Sequence, residues 1–135
     1  MKAAREWFNY SSAYQYSDCA AGPNAQDLLA TAILRLDGYD RFYVRNAPYF
    51  RLTQPFQRHT VVPTSPVYIY LYSFSLRPED EQPSGSLNCS KIDDIVMGLT
   101  FNTANSKYER TVQFYATNYN VLRIVGGLGG LAFIA

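Results

Sequence analysis

The chain has 135 residues, of which 47% are hydrophobic and 17% charged, which is one domain's worth of sequence. A compact chain of that size buries roughly two thirds of its unfolded surface, and the composition excludes an intrinsically disordered chain. Twelve basic residues against eleven acidic ones leave a formal charge of +1. No basic run is present to follow a phosphate backbone, so direct nucleic-acid binding is not expected.

Residues 1–27 place Trp7, Phe8, Tyr10, Tyr14 and Tyr16 among small polar residues, with neither helical nor strand periodicity, and Pro23-Asn24 is a turn signal. Residues 1–30 therefore read as a loop-rich N-terminal segment and residues 31–135 as the folded domain. The start, Met1-Lys2-Ala3-Ala4-Arg5-Glu6, lacks the apolar core of a signal peptide, so the protein is expected to be made and used in the cytoplasm. Gln26, Leu28 and Leu29 give residues 25–32 some helical propensity, yet the stretch runs directly into strand-like sequence.

From Thr31 the pattern is that of a sheet. Residues 31–36 form a strand candidate followed by Asp37-Gly38, a strong tight-turn signal. Residues 49–53 are a second short strand candidate, closed by Pro55. The longest β-favouring run spans residues 67–76, with Tyr68, Ile69, Tyr70, Leu71, Tyr72 and Phe74. It shows no polar alternation before Ser73, which predicts a strand covered on both faces. Pro63 and Pro66 before it and Pro78 after it set its ends.

Residues 77–86, with Pro78, Glu79, Asp80, Glu81, Pro83 and Gly85, read as an exposed loop. Residues 92–101 then alternate, with Ile95, Met97, Leu99 and Phe101 on one face and Asp94, Val96, Gly98 and Thr100 on the other. A polar loop is expected at 102–109. Residues 111–117 put Val112, Phe114 and Ala116 on one face, and residues 119–125 follow after Asn118. The chain closes on Gly126, Gly127, Gly129, Gly130 and an apolar tip that is too short to span a bilayer. About six short strands with Pro, Gly, Asn and Asp punctuation, and no long helix, predict an all-β antiparallel sandwich or barrel. The 12 tyrosines suit pleated surfaces that are buried yet partly wet.

The same reading assigns no catalytic, cofactor-binding or metal-binding residue and no cofactor. His59 is the only histidine, and no nucleophile elbow lies beside a strand to use it, so it reads as a hydrogen-bonded loop residue. Glu79, Asp80 and Glu81, like Asp93 and Asp94, are adjacent carboxylates that point apart along an extended chain. They read as solvated, and the acidic run lacks the alternating oxygen ligands of a calcium loop. Cys19 and Cys89 lie too far apart for a zinc or redox motif, and spacing leaves their pairing open; in a reducing compartment they are expected as free thiols. Gly127-Leu128-Gly129-Gly130-Leu131-Ala132 formally fits a dinucleotide fingerprint. That motif needs a helix and a further strand after the glycines, and only three residues follow, so glycine is expected to serve a sharp bend or a close backbone approach. Asn88-Cys89-Ser90 has glycosylation spacing but is expected to be silent without a secretory signal.

Several phrases go beyond composition. They begin with Leu34-Arg35-Leu36-Asp37-Gly38-Tyr39-Asp40-Arg41-Phe42, Tyr49-Phe50 and Gln54-Pro55-Phe56-Gln57-Arg58-His59-Thr60. Tyr70-Leu71-Tyr72-Ser73-Phe74-Ser75-Leu76-Arg77-Pro78-Glu79, Gln82-Pro83-Ser84-Gly85-Ser86, Asn88 and Ser90-Lys91-Ile92-Asp93 continue the series. With Tyr115-Ala116-Thr117-Asn118-Tyr119-Asn120-Val121-Leu122-Arg123-Ile124 and the glycines after it, they resemble the second jelly roll of the major capsid proteins of nucleocytoplasmic large DNA viruses. The resemblance covers about residues 31–135, with Trp7-Phe8-Asn9-Tyr10 a weaker match before it.

The resemblance implies an antiparallel jelly-roll β-sandwich, specifically the later strands of the second jelly roll of a double jelly-roll subunit. It also implies a non-catalytic role in an icosahedral virion, assembled in the host cytoplasm from trimeric, pseudo-hexagonal capsomers. The expected partners are other capsid chains and minor capsid proteins, with no nucleic acid and no membrane span. Members of this family carry two jelly rolls on several hundred residues, so 135 residues are expected to leave sheet edges unpaired until another polypeptide supplies the missing strands. Residues 39–46, 77–86 and 102–109 are candidate contact loops. The competing expectation is a stand-alone jelly-roll carbohydrate-binding module whose exposed tyrosines stack on sugars.

Overall fold

A computed structural model describes residues 10, 27–63, 68–102 and 111–133 of the chain. Its centre is strand β1 (Leu29–Leu36), which pairs on one side with β4 (Ile95–Phe101) along its whole length. Its other side is shared by two short strands, β2 (Tyr39–Asp40) and β3 (Arg45–Asn46), at its C-terminal and N-terminal ends respectively. All these pairings are antiparallel. The last two strands, β5 (Leu122–Val125) and β6 (Leu128–Leu131), form a separate hairpin, and among the described residues they contact no other strand or helix.

Local chemistry explains β1. Asp37 and Gly38 both have positive φ, 51° and 80°, the two-residue turn whose twist matches paired strands. The Asp37 side chain then accepts hydrogen bonds from the Asp93 and Asp94 amides at 2.8 and 3.1 Å, and its own amide donates to the Asp94 carbonyl, so the turn anchors the entry to β4. Across β1 and β4, Ala32, Leu34 and Leu36 share a face with Leu99, Met97 and Ile95. The opposite face carries Thr31, Ile33 and Arg35 with Thr100, Gly98 and Val96. A register irregularity between Leu29 and Thr31 puts Leu29 in the same buried cluster as Ala32. The helical propensity of residues 25–32 is overridden here: from Leu29 onward the chain is a bulged strand.

The second strand expected at 49–53 is instead a wide helical turn, Tyr49–Thr53, that runs into helix α1, Gln54–Arg58. The Gln54 amide donates back to the Tyr49 carbonyl, one residue further than in an α-helix. Burial recurs at Ala47, Phe50 and Gln54, a helical spacing, and Phe50 fills the core with Leu29, Ala32 and Ala47. Pro55 does not close a strand. It occupies the first turn of α1, where a missing N–H costs nothing.

The strand expected at 67–76 has no ladder in its described part, residues 68–76. Its backbone gives one bond toward the helical segment, from the Leu71 amide to the Phe50 carbonyl at 3.2 Å. Aromatic side chains hold it: Tyr72 lies 5.0 Å from Phe42 and 5.1 Å from Phe74, ring centre to ring centre, and Tyr70 packs on the core. Both faces are not covered, because Ile69 and Phe74 are exposed.

Downstream, β4 begins three residues later than expected, after a 3-10 turn at Cys89–Lys91. Residues 111–121, expected to hold one strand and start another, lie in no regular element, and ladder pairing starts only at Leu122. The polar loop expected at 102–109 lies outside the described residues beyond Asn102, as do Cys19 and the aromatic cluster around Trp7.

Candidate assembly surfaces

Three kinds of feature stand out: a half-buried ionic cluster, a set of hydrogen-bonded loops, and extensive exposed apolar strand surface. The ionic cluster forms where β1, the wide turn and residue 70 meet. Arg51 Nε and Nη2 donate to the two carboxylate oxygens of Asp27 at 2.8 and 3.1 Å, and the Tyr70 hydroxyl donates to Asp27 Oδ1 at 3.0 Å. The Arg51 guanidinium lies 4.9 Å from the centre of the Tyr68 ring. The hydrogen bond to Asp27 raises the Arg51 pKa further. Burial, with the Asp27 charge second, pushes the Tyr70 phenol well above its ordinary value. A cleft of about 520 Å³ opens beside this cluster, with Asn46, Asn102 and Tyr68 on its walls. Every charged group named here already has its counter-charge, so the cluster staples three segments together.

The residues weighed from sequence fall into the loops. His59 and Glu79, twenty positions apart, come together at 2.9 Å between Nδ1 and Oε1, and the Thr60 amide donates to both Glu79 oxygens. Hydrogen bonds from Thr60, then His59, hold the Glu79 carboxyl below its usual range. Nothing local in the sequence signals this pair, since the fold of the intervening tyrosine-rich segment creates it. Asp80 faces Arg77 at 3.5 Å on the surface, a contact worth little in water. Ser84 knots the same loop by bonding Ser75 and both backbone groups of Arg77. The Asn88 side chain accepts from the Ser90 amide, and Cys89 is an exposed free thiol. Among the described residues no group of three His, Cys, Asp or Glu is placed to hold a metal ion, and no helix is long and apolar enough to cross a membrane.

The glycine-rich end is a hairpin. Gly126 and Gly127 take φ of 58° and 80° in a two-residue turn, and the residues after them continue as strand β6, where a dinucleotide site needs a helix. Asn120 clasps the open end, accepting from the Val121 and Phe133 amides and donating to the Phe133 carbonyl.

Apolar exposure is unusually broad. On the β1–β4 sheet, Ile95 and Met97 are 47% and 44% exposed although they share a face with buried Leu34. β4 pairs only with β1 among the described residues, and its sequence offers no lysine or proline to blunt its outer edge. Leu122, Ile124, Val125, Leu128 and Leu131 of the hairpin are all exposed. In the 39–46 loop, Tyr39 and Tyr43 are each about four-fifths exposed, and Arg45 stacks over Tyr49. On α1 and the segment after it, Phe56 and Val61 face outward. Exposed apolar surface, where it is contiguous, marks contact sites.

Comparison with known proteins agrees with that character. Residues 2–130 match the family described as the large eukaryotic DNA virus major capsid protein. The chain is 50% identical over 107 residues to the major capsid protein of Chrysochromulina ericina virus, an alignment covering 78% of this chain and 18% of that protein. It is 39% identical over 126 residues to the major capsid protein of Paramecium bursaria Chlorella virus 1, covering 78% and 28%. Among solved structures, the quasi-atomic model of the PBCV-1 virus capsid superposes with a TM-score of 0.64 at 38% identity, covering 79% of this chain and 30% of that one. The chain thus spans under a third of the length of these relatives, the partial coverage that a C-terminal part of such a subunit gives. With its antiparallel strands and jelly-roll neighbours, the chain belongs to the major capsid protein family of large eukaryotic DNA viruses.

Proposed function

We propose that this chain is a structural, non-catalytic building element of a virus capsid, carrying the later strands of the second jelly roll of a double jelly-roll subunit within residues 31–135. In this reading it works with the rest of the double jelly roll, on whichever polypeptide that lies. The completed subunit associates as a trimer into a pseudo-hexagonal capsomer, meets minor capsid proteins at its rim, and is assembled in the host cytoplasm without binding the genome.

The observation that carries the reading is the mismatch between strands and cover. Among the described residues β4 pairs only with β1, leaving its other edge open, and the β5–β6 hairpin carries large aliphatic side chains that none of them buries. A sandwich needs a second sheet over the first, and membership of the capsid family supplies the kind of partner that provides it. Burial and shape complementarity repeated by symmetry are then the whole of the work.

The test is incorporation. The chain is co-expressed with a polypeptide carrying the remaining part of the Chrysochromulina ericina virus major capsid protein, and the purified product is weighed by native mass spectrometry. The reading predicts a species containing three copies of each polypeptide. Absence of any joint species, with both polypeptides soluble, contradicts it.

A further inference from the structure

The 77–86 loop is closed on itself at its base and fastened to another segment at its tip. At the base, the Ser84 hydroxyl accepts from the Arg77 amide at 2.7 Å and lies 2.6 Å from Ser75 Oγ. Arg77 and Asp80 face each other within the loop. Among the described residues, Glu79 alone carries hydrogen bonds from residues 78–83 to anything outside the loop. It reaches the end of α1, accepting from the Thr60 amide on both carboxylate oxygens at 3.1 and 3.3 Å and meeting His59 Nδ1 at 2.9 Å. α1 stops at His59, whose backbone is extended at φ −120° and ψ 159°. A helix end and a loop tip thus meet through one carboxylate and one imidazole.

The two protonation states of the ring do not serve this contact equally. A neutral imidazole has one N–H and satisfies the carboxylate only in the tautomer with its proton on Nδ1. The imidazolium donates from both nitrogens and makes the same contact charge-assisted, which strengthens it. Histidine is the side chain that ordinarily changes charge between about pH 5 and 8. Among the described residues, Glu79 is the one carboxylate within ion-pair distance of the ring. Arg58, next to His59 on α1, opposes a second positive charge, and residues 60–63 carry no charge. In the facing loop, Arg77 is taken up by Asp80, and Glu81 makes no ion pair among the described residues. The His59 and Glu79 side chains are 26% and 42% exposed, so protons reach the contact without any opening of the fold.

We propose that His59, Thr60 and Glu79 form a pH-responsive clasp, which tightens the 77–86 loop onto the end of α1 when the imidazole takes up a proton and slackens when the proton leaves. Both partners set the pH window. Hydrogen bonds from Thr60, then His59, hold the Glu79 carboxyl below its usual range, so its share is complete above the ordinary carboxylate range and is lost as pH falls through the lowered value. The share of the imidazolium is present in mild acid and is lost as pH rises toward about 8. The loop is therefore held most firmly between about pH 4.5 and 6. A preordered loop binds at smaller entropic cost than a loose one, so contacts made through residues 77–86 are strengthened in mild acid. The clasp goes beyond the capsid reading and does not depend on it, because all three residues lie within the described chain.

The experiment is hydrogen exchange read by mass spectrometry at about pH 8 and about pH 5.5, with rates corrected for the intrinsic pH dependence of exchange. It uses the soluble species that contains the chain, alone or with the remaining part of the Chrysochromulina ericina virus major capsid protein. Peptides covering Thr60 and residues 77–86 report the clasp, and a peptide from β1 is the reference. Wild type is compared with H59Q, which keeps an amide donor that does not titrate, with E79Q, and with E81Q in the same loop. Protection at both reporting peptides is expected to rise about two- to fivefold on acidification in wild type and E81Q, the scale of a part-exposed ion pair. H59Q is expected to show no rise, and E79Q lower protection at both pH values, with β1 unchanged. A rise of equal size in H59Q overturns the clasp, and a wild type with no rise overturns it whatever the variants do. Loss of the rise in E81Q, with E79Q behaving as wild type, moves the partner to Glu81 and overturns it too.

Discussion

At the scale of single residues, the side chains that matter most are those that cannot change size or charge. Gly98 faces Ile33 across the β1–β4 pair, and a Cβ at that position would lie 2.8 Å from Ile33 Cγ2. Gly98→Val is therefore expected to destabilise the sheet by about 1–3 kcal/mol through overpacking, read as a lowered urea midpoint of the species the chain forms with the remaining part of a double jelly roll. G98V together with I33A is expected to recover part of that loss, which a purely backbone effect of the glycine would not allow. Tyr70 gives a pH dependence. Its folded pKa lies above its unfolded value, so its contribution is complete below pH 10 and is lost as pH rises beyond that. A tyrosine absorbance titration should show a phenol that ionises only with unfolding and that is missing in Y70F. Asp27→Asn removes the counter-charge of half-buried Arg51, and a cost of about 1–3 kcal/mol is expected in the same urea assay.

At the scale of elements, the sequence was legible where the signal is local. Asp37-Gly38 named its turn, the alternation from Ile95 to Phe101 named β4 and its two faces, and the glycines after Val125 marked a bend that is the β5–β6 turn. It misled where tertiary packing overrides propensity. Tyr49 and Phe50 favour strands as residue types, yet the burial of Ala47, Phe50 and Gln54 at helical spacing, with Pro55 in a first turn, makes the segment helical. The tyrosine-rich run at 68–76 satisfies itself by ring packing, which no periodicity reports. The His59–Glu79 contact is likewise invisible locally, because it depends on where that run lands. If Phe50 is the anchor of the helical segment, Phe50→Ala should cost about 3–5 kcal/mol. It should also release the 68–72 segment, seen as faster amide exchange at Leu71, whose N–H bonds the Phe50 carbonyl.

At the scale of the whole molecule, the described chain is a half-covered sheet beside a two-faced hairpin. Its core is small: Leu29, Ala32, Ala47 and Phe50, with aromatic rings and Leu99 packed around them. Against that stands a long series of exposed aliphatic and aromatic side chains. Exposure of that kind among the described residues is what the proposed completion by the rest of a subunit would cover. The expectation of open sheet edges came from the family's length; among the described residues β4 pairs only with β1, and β5 and β6 only with each other.

The central claim, that these surfaces exist to be covered by the rest of a capsid subunit, is tested most directly by light scattering after size exclusion on the purified chain, with circular dichroism on the same fractions. The account predicts aggregated or partly unfolded material that becomes a defined, β-rich species once the remaining part of a double jelly roll is supplied. A monodisperse, cooperatively folded monomer of the chain alone would contradict it.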